Sequence, residues 1–288
     1  MSGSSFFDHF TFFTSPDPTN GQVNYVSEST ATSNKLAYVE NDVAVMRVDN
    51  FTWLNAGANR NSVRITSKKG YATGLMLFDV AQMPHGCSVW PALWTVGGNW
   101  PNGGEIDIVE NVNNATFNQL TLHTGASTSC STNAVPQSAV STSFMNRGCA
   151  SSPSANAGCG YQDQSETAFG AGFNAAGGAV YALLIDANSG TTIWQFPRNK
   201  GIPSDITSGK PNPTSWGTPK ATWPSSDSCK TNEVISKQNI VFDITLCGGW
   251  AAADYPNSGC PGSCSDMVKD PTNYNLAVWK VNSVKIYQ

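Results

Sequence analysis

Charged residues are scarce in this chain, and their scarcity excludes several classes of protein. Only 12% of the 288 residues are Asp, Glu, Lys or Arg, half of the ~25% that is usual in globular proteins. The formal net charge is −4. The densest basic spot is the pair Lys68-Lys69, whereas binding to a phosphate backbone requires clustered Lys and Arg. We therefore expect no nucleic-acid partner.

Long apolar runs are also missing. No segment approaches the ~20 apolar residues of a membrane-spanning helix. The longest apolar run covers residues 179–185 and has the length of a buried strand. The first residues, Met1 to Ser5, contain neither the basic nor the apolar region of a secretion signal. We expect no membrane partner, and no signal peptide is visible in this chain.

Cysteine, by contrast, is plentiful. The eight cysteines form an even number, as expected for disulfides made in an oxidising compartment. Cys260-Pro-Gly-Ser-Cys264 has a spacing that a metal would accept, but no second close pair completes four ligands and the three histidines are isolated. We therefore favour disulfides, without assigning their pairing, and a secreted protein.

Short stretches of alternating apolar and polar residues recur along the chain. Asn188-Ser-Gly190 separates two of them and predicts a hairpin turn. Because β-branched and aromatic residues dominate these stretches, an all-β sandwich or barrel is favoured. The predicted strands are residues 62–66, 119–124, 179–187, 191–196, 239–246 and 277–287.

Residues 125–178 differ from the rest of the chain. They are rich in Ser, Ala, Gly and Asn, hold three cysteines, and offer few residues that could fill a core. They are predicted to form long loops held by disulfides. No clean boundary or internal repeat divides the chain, so we expect one domain over residues 1–288.

Three acids interrupt the apolar stretch that follows Trp100. Glu105 and Asp107 share one face of a strand because side chains alternate. A β-bulge around residues 108–109 would bring Glu110 to the same face. The two glutamates would then lie ~13 Å apart at their Cα atoms, a spacing that permits the carboxyl separation of either a retaining or an inverting glycosidase. The alternatives are a solvent-facing acidic strand and a calcium site, although calcium ligands normally come from a loop.

Aromatic residues near these acids favour a sugar-binding cleft. Trp90, Trp94 and Trp100 precede the acids, and flat indole rings can stack on pyranose faces. We expect at least one of Trp90 and Trp94 to be buried in the core instead. His123 lies on the next alternating stretch, where pairing with the acidic strand would place it beside Asp107 or Glu110.

At these residues the sequence resembles a known family. Gly104-Glu-Ile-Asp-Ile-Val-Glu110 resembles the bulged E-x-D-x-x-E signature of family-16 glycoside hydrolases. Further segments, spread over nearly the whole chain, are similar to fungal laminarinases of that family. They are Gly21-Gln-Val-Asn-Tyr25, Arg60-Asn-Ser-Val-Arg-Ile65, Trp90-Pro-Ala-Leu-Trp94, Trp100-Pro-Asn-Gly-Gly104, Thr121-Leu-His-Thr124, Phe196-Pro-Arg198, Cys247-Gly-Gly-Trp250 and Cys260-Pro-Gly-Ser-Cys264.

The resemblance implies a concanavalin A-like β-jelly-roll sandwich of two antiparallel sheets and an endo-β-1,3-glucanase that acts with retention, with mixed-linkage β-1,3/1,4-glucan as a further substrate. By position, Glu105 is the nucleophile, Glu110 the general acid/base, and Asp107 tunes the pair. The implied substrate-binding residues are Arg64, Trp90, Trp94, Trp100, His123 and Trp250. The resemblance implies no required cofactor and no metal at the site; it allows a structural calcium elsewhere, which nothing in the sequence locates.

Two alternatives share this fold. A cell-wall transglycosylase would use the same residues and differ only in its acceptor, a sugar in place of water. A non-catalytic glucan-binding protein typically lacks a catalytic glutamate, whereas both are present here. A legume-type lectin would need a calcium and manganese loop, and no Asp/Asn cluster suggests one. We expect a monomer whose partner is a β-glucan polysaccharide.

Overall fold

The computed structural model describes residues 1–288. Its eighteen strands, β1 to β18 in chain order, span Phe10–Phe12, Val23–Tyr25, Ala37–Glu40, Val43–Arg47, Arg60–Ser62, Arg64–Ser67, Gly74–Gln82, Val89–Val96, Glu105–Glu110, Asn118–Gly125, Ser143–Phe144, Ala150–Ser151, Cys159–Asp163, Ala179–Asp186, Gly190–Pro197, Ala221–Pro224, Asn239–Leu246 and Val278–Tyr287. Six α-helices, α1 to α6, span Glu28–Ser33, Gly170–Ala175, Ser204–Thr207, Thr231–Val234, Gly248–Asp254 and Cys264–Met267. Single turns of 3-10 helix cover Gly3–Ser5, Phe7–His9, Gln137–Ala139, Arg198–Lys200, Pro213–Ser215, Tyr255–Asn257 and Pro271–Tyr274. No helix is both long and apolar enough to cross a membrane.

Two large antiparallel sheets form the sandwich that the alternating stretches predict. One has the order β1-β6-β17-β8-β9-β10-β13-β11, with the short β12 beside β10, and the other the order β16-β15-β14-β7-β18-β4-β3. The predicted all-β sandwich is therefore confirmed. Two minor pairs, β2 with β5 and β10 with β12, are parallel.

The predicted hairpin joins β14 to β15. Asp186 pairs with Gly190 across the turn, and the Asp186 carboxylate accepts hydrogen bonds from the backbone N–H groups of Asn188 and Ser189 at 3.0 and 2.7 Å. An aspartate that accepts bonds from the next backbone groups stabilises a turn locally, which adds to the Asn188-Ser-Gly190 signal that predicts this hairpin.

The main core lies between the two sheets. Trp279 of β18 packs edge-on against Phe242 of β17 with ring centroids 5.6 Å apart, and its indole N–H donates to the carbonyl of Asp243 at 3.0 Å. A fully buried tryptophan thus joins one sheet to the other and satisfies its one polar group. A smaller apolar cluster, including Leu77 and Trp194, covers the outer face of the seven-stranded sheet.

All eight cysteines form disulfides, as predicted. The pairs are Cys87–Cys260, Cys130–Cys229, Cys149–Cys159 and Cys247–Cys264. Two of these pairs hold the segment 125–178 as expected, and the few large residues of this segment reach the core. Tyr161, Phe169 and Phe173 are buried, because a few large aromatic rings fill more volume than the many small residues around them suggest.

Candidate active site

The bulge predicted in strand β9 is present. On one side Ala92 pairs with Glu110, Leu93 with Val109 and Trp94 with Asp107, so that Ile108 has no partner on β8. The register with β10 shifts at the same place. The extra residue returns Glu110 to the face of Glu105 and Asp107. These three carboxyls therefore lie together on β9, in the middle of the nine-stranded sheet.

The face that carries the three acids forms the floor of a cleft of about 1160 Å³. Every residue that the sequence and the resemblance placed in the site lines this cleft. They are Arg64, Trp90, Trp94, Trp100, Glu105, Asp107, Glu110, His123 and Trp250. A cleft lined by aromatic rings and converging polar groups has the character of a ligand site.

Burial controls the charge of the acids. It raises the pKa of Glu105 to about 8, with a further increase from the neighbouring charge of Asp107. Burial also raises the pKa of Asp107 to about 7. The pKa of Glu110 is raised well above its usual range by burial and by the charge of Asp107. Since the charged form of a carboxyl loses its hydration on burial, all three groups keep their protons to a higher pH than an exposed carboxyl does.

Trp90 contacts one of the three acids and His123 contacts another. The indole N–H of Trp90 donates to Oε1 of Glu110 at 3.0 Å. His123, which pairs with Glu105 across β9 and β10, places Nε2 at 3.2 Å from Oδ2 of Asp107. Of the two predicted neighbours of His123, Asp107 and Glu110, the structure therefore shows Asp107 in contact with the ring.

The geometry is also compatible with a cation. Donor atoms of Glu105, Asp107 and His123 lie within 4.8 Å of one another, and such mixed donors can bind a divalent metal. A metal would need ionised carboxylates, whereas burial favours the protonated forms of both. A bound cation would compete with those protons, and the absence of a required metal stays a prediction.

The expectation that Trp90 or Trp94 belongs to the core is wrong. Both are only half-buried and line the cleft, whereas Val89 and Leu93 on the same strand are buried. Alternation along β8 puts the two tryptophans on the cleft face, and the ring of Trp250 meets that of Trp90 edge-on at 5.5 Å. The three rings form part of the cleft surface.

Asp243 is a site residue that the sequence reasoning missed. It lies on β17, lines the cleft, and accepts the indole N–H of Trp94 at 2.9 Å. Burial raises its pKa to about 6, while the charge of Arg64 acts in the opposite direction. The guanidinium of Arg64 in turn lies over the Trp94 ring, 5.0 Å from its centroid. Asp243 is the one acid within the apolar stretch 239–246. An acid that interrupts an apolar strand is the signal that identified the acids of β9, and it would have identified Asp243 too.

Comparison with known proteins bears on the family and the fold. The model of the XgeA-like catalytic domain of glycoside hydrolase family 16 matches residues 10–287. A probable endo-1,3(4)-β-glucanase of Aspergillus clavatus is 42% identical over 99% of this chain and 45% of its own length. The chain spans between 39% and 67% of the length of the curated relatives that it matches.

Solved structures show the same fold. Laminarinase 16A from Phanerochaete chrysosporium, with 6-O-glucosyl-laminaritriose in its donor and acceptor sites, is 42% identical and superposes with a TM-score of 0.93, covering 100% of this chain and 97% of that chain. An elongating family-16 β-1,3-glucosyltransferase is 34% identical with a TM-score of 0.91, covering 100% and 98%.

Proposed function

The chain belongs to glycoside hydrolase family 16, and on that premise we propose that it is an endo-β-1,3-glucanase that also cuts mixed-linkage β-1,3/1,4-glucan. The observation that carries the proposal is the bulged strand, which directs Glu105, Asp107 and Glu110 into one cleft walled by tryptophans. An endo-acting enzyme requires a cleft that accommodates the interior of a long chain, and we expect this cleft to do so. We take residues 1–288 as one catalytic domain.

The reaction would proceed in two displacements with retention of configuration. An oxygen of ionised Glu105 forms a bond to the anomeric carbon, while the glycosidic C–O bond breaks and the proton of Glu110 passes to the leaving oxygen. Glu110 then takes a proton from water, whose oxygen bonds to the anomeric carbon as the ester to Glu105 breaks. Both carboxyls end the cycle as they began it.

Asp107 would decide where the negative charge resides. Its oxygen lies within 4.8 Å of Glu105, and a like charge at that distance opposes ionisation of the glutamate. With a proton on Asp107, Glu105 has no charged carboxylate beside it and can ionise. Burial raises the pKa of both carboxyls, that of Glu105 to about 8 and that of Asp107 to about 7, so Glu105 needs a neutral neighbour in order to ionise.

The aromatic residues and Arg64 would hold the sugar. Trp90, Trp94, Trp100 and Trp250 offer ring faces and N–H groups to pyranose units. No cofactor is required for this chemistry. The four disulfides suit an extracellular protein, and a monomer is expected to suffice because one chain supplies the whole site.

A product time course on laminarin and on barley mixed-linkage glucan tests the activity. We expect rapid release of short oligosaccharides by mass spectrometry, with retained configuration by NMR. Glu105→Ala and Glu110→Ala should each abolish turnover, whereas the matched exposed variant Glu233→Gln should not. Azide, a small nucleophile, should yield a β-glycosyl azide from Glu110→Ala and an α-glycosyl azide from Glu105→Ala. The opposite anomers would reverse the two assignments.

Transglycosylation is the second candidate because the elongating glucosyltransferase superposes over the whole chain. Its first displacement is the same, and the two activities differ in whether sugar or water resolves the intermediate. Adding an oligosaccharide acceptor to the time course separates them. Products longer than either starting chain would favour transfer, and intact polymer with measurable binding would favour a glucan-binding protein.

A further inference from the structure

A disulfide-closed loop surrounds the ring of His123 and contributes a residue that neither the motif nor the family likeness identifies. Cys149 and Cys159 close this loop, and Ser151 within it is 1% exposed. Oγ of Ser151 lies 3.0 Å from Nδ1 of His123. Against the same side of the ring lies Gly158, where a Cβ atom would come within 2.8 Å of Nδ1. The ring therefore has little freedom to move.

The hydrogen bonds of Ser151 determine which nitrogen of His123 carries the proton. A serine hydroxyl has one proton, and Oγ of Ser151 also lies 3.2 Å from the carbonyl oxygen of Cys149, which can only accept. Both contacts are hydrogen bonds together only if Ser151 donates to that carbonyl and accepts from Nδ1–H of His123. The backbone N–H of Thr124 bonds to the same carbonyl at 2.9 Å and holds it in place.

This arrangement has a consequence for Asp107. With the ring proton on Nδ1, a neutral imidazole turns a lone pair at Nε2 toward Oδ2 of Asp107, 3.2 Å away. That oxygen is buried and has no other hydrogen-bond partner. Two lone pairs at this distance in a buried site repel each other, so the pair is stable when it holds one further proton, on either partner. The His123–Asp107 pair is then electrically neutral beside Glu105.

We propose that Ser151 is a positioning residue that fixes the Nδ1–H tautomer of His123 and thereby keeps the His123–Asp107 pair neutral, so that Glu105 can ionise. This inference rests on the proposed function for its effect on rate, but the tautomer itself does not. Without Ser151 the proton can move to Nε2 and point at an Asp107 carboxylate. The pair then carries a charge of −1 beside Glu105.

The charged groups on the elements packed against this loop bind other partners. Arg147 donates to the carbonyl of Thr132 at 2.7 Å, and Asp163 pairs with Lys220 at 2.8 Å. The phenol of Tyr161 bonds to the carbonyl of Thr222. The titratable groups that act on the His123–Asp107 pair are Glu105 and Glu110 of β9 and Asp243 of β17.

Ser151→Ala tests the proposal through the pH profile of kcat/KM. A like charge raises the pKa of Glu105, which must be ionised, so the acid limb should move up by about one pH unit. Ser151→Thr should restore the wild-type limb, whereas Ser151→Val, of the same shape without the hydroxyl, should not. This pair keeps the test decisive if the alanine variant fails to fold. The neighbouring Ser152→Ala is the control and should leave the profile unchanged.

Nitrogen-15 NMR gives a readout that does not depend on activity. The chain has three histidines, so the His123 ring nitrogens can be assigned with one His123→Gln variant. Wild type and Ser151→Thr should show a protonated Nδ1, and Ser151→Ala a shift of the proton toward Nε2. An unchanged acid limb together with unchanged ring nitrogens in Ser151→Ala would overturn the proposal. A changed tautomer with full activity in Glu105→Ala would instead count against the assigned nucleophile.

Discussion

Replacing Asp243 by asparagine is expected to stabilise the protein at neutral pH. Burial raises the pKa of Asp243 from 3.8 to about 6, so the folded state binds its proton more tightly than the unfolded chain does. The ionised carboxylate therefore destabilises the fold. The penalty is absent below pH ~4, grows as the pH rises, and is complete above pH ~6. Two pKa units correspond to about 3 kcal/mol.

Asparagine removes this penalty with little change of shape. Its side-chain oxygen can still accept the indole N–H of Trp94, which Asp243 accepts at 2.9 Å. The pKa of about 6 already includes the favourable charge of Arg64. The loss of the Arg64–Asp243 attraction in the variant is therefore already counted in the difference of about 3 kcal/mol. At pH 7 the variant should gain about 3 kcal/mol, or roughly 6 to 12 °C in Tm for a chain of this size.

Urea unfolding with the disulfides intact, at pH 3.5 and pH 7, measures the effect. The gain should be present at pH 7 and absent at pH 3.5. Asp227→Asn, at an exposed position, is the matched control and should change neither curve. A gain of equal size at both pH values would show that packing, not charge, is responsible, and no gain at pH 7 would show that Arg64 fully compensates the buried carboxylate.

Three further predictions concern the acid pair, the scaffold and the metal question. Trp90→Phe removes the N–H that stabilises ionised Glu110, so the pKa of Glu110 should rise. The basic limb of the pH profile of kcat/KM should then move to higher pH, and a shift to lower pH would contradict the assignment of Glu110 as the general acid. Arg60→Met removes a buried guanidinium that donates to four backbone carbonyls and lies 3.8 Å from Asp49. The free energy of unfolding in urea should fall by about 3–5 kcal/mol. An unchanged midpoint would show that water replaces the guanidinium as hydrogen-bond donor. Dialysis against EDTA should leave activity unchanged, and a loss reversed by one divalent ion would indicate a metal at Glu105, Asp107 and His123.

Local patterns account for what the sequence predicts correctly. The predicted strand 239–246 has the same bounds as β17, because alternation and the residues that end a strand are both local. The acids of β9 could be placed on one face because a bulge is a local change of register. Even the position of His123 follows from pairing between neighbouring strands of the sequence.

Non-local packing accounts for what the sequence does not predict. Strand β7 has four consecutive buried residues, Leu75 to Phe78, because the outer face of its sheet is covered as well as the inner one, and burial on both faces removes the alternation that identifies a strand. Asp243 reaches Trp94 across a separation of 149 residues. The contact of Ser151 with His123 likewise depends on a loop closed by a disulfide.

The bulge in β9 determines what the cleft can do. In a regular strand Glu110 would share a face with Ile106 and Ile108, which are buried in the core between the sheets. The extra residue turns it toward the cleft instead, where three carboxyls crowd together and burial raises their pKa values. Acid–base catalysis by two glutamates needs one ionised and one protonated group at the same pH. The crowding that opposes folding is therefore the property on which the proposed reaction depends.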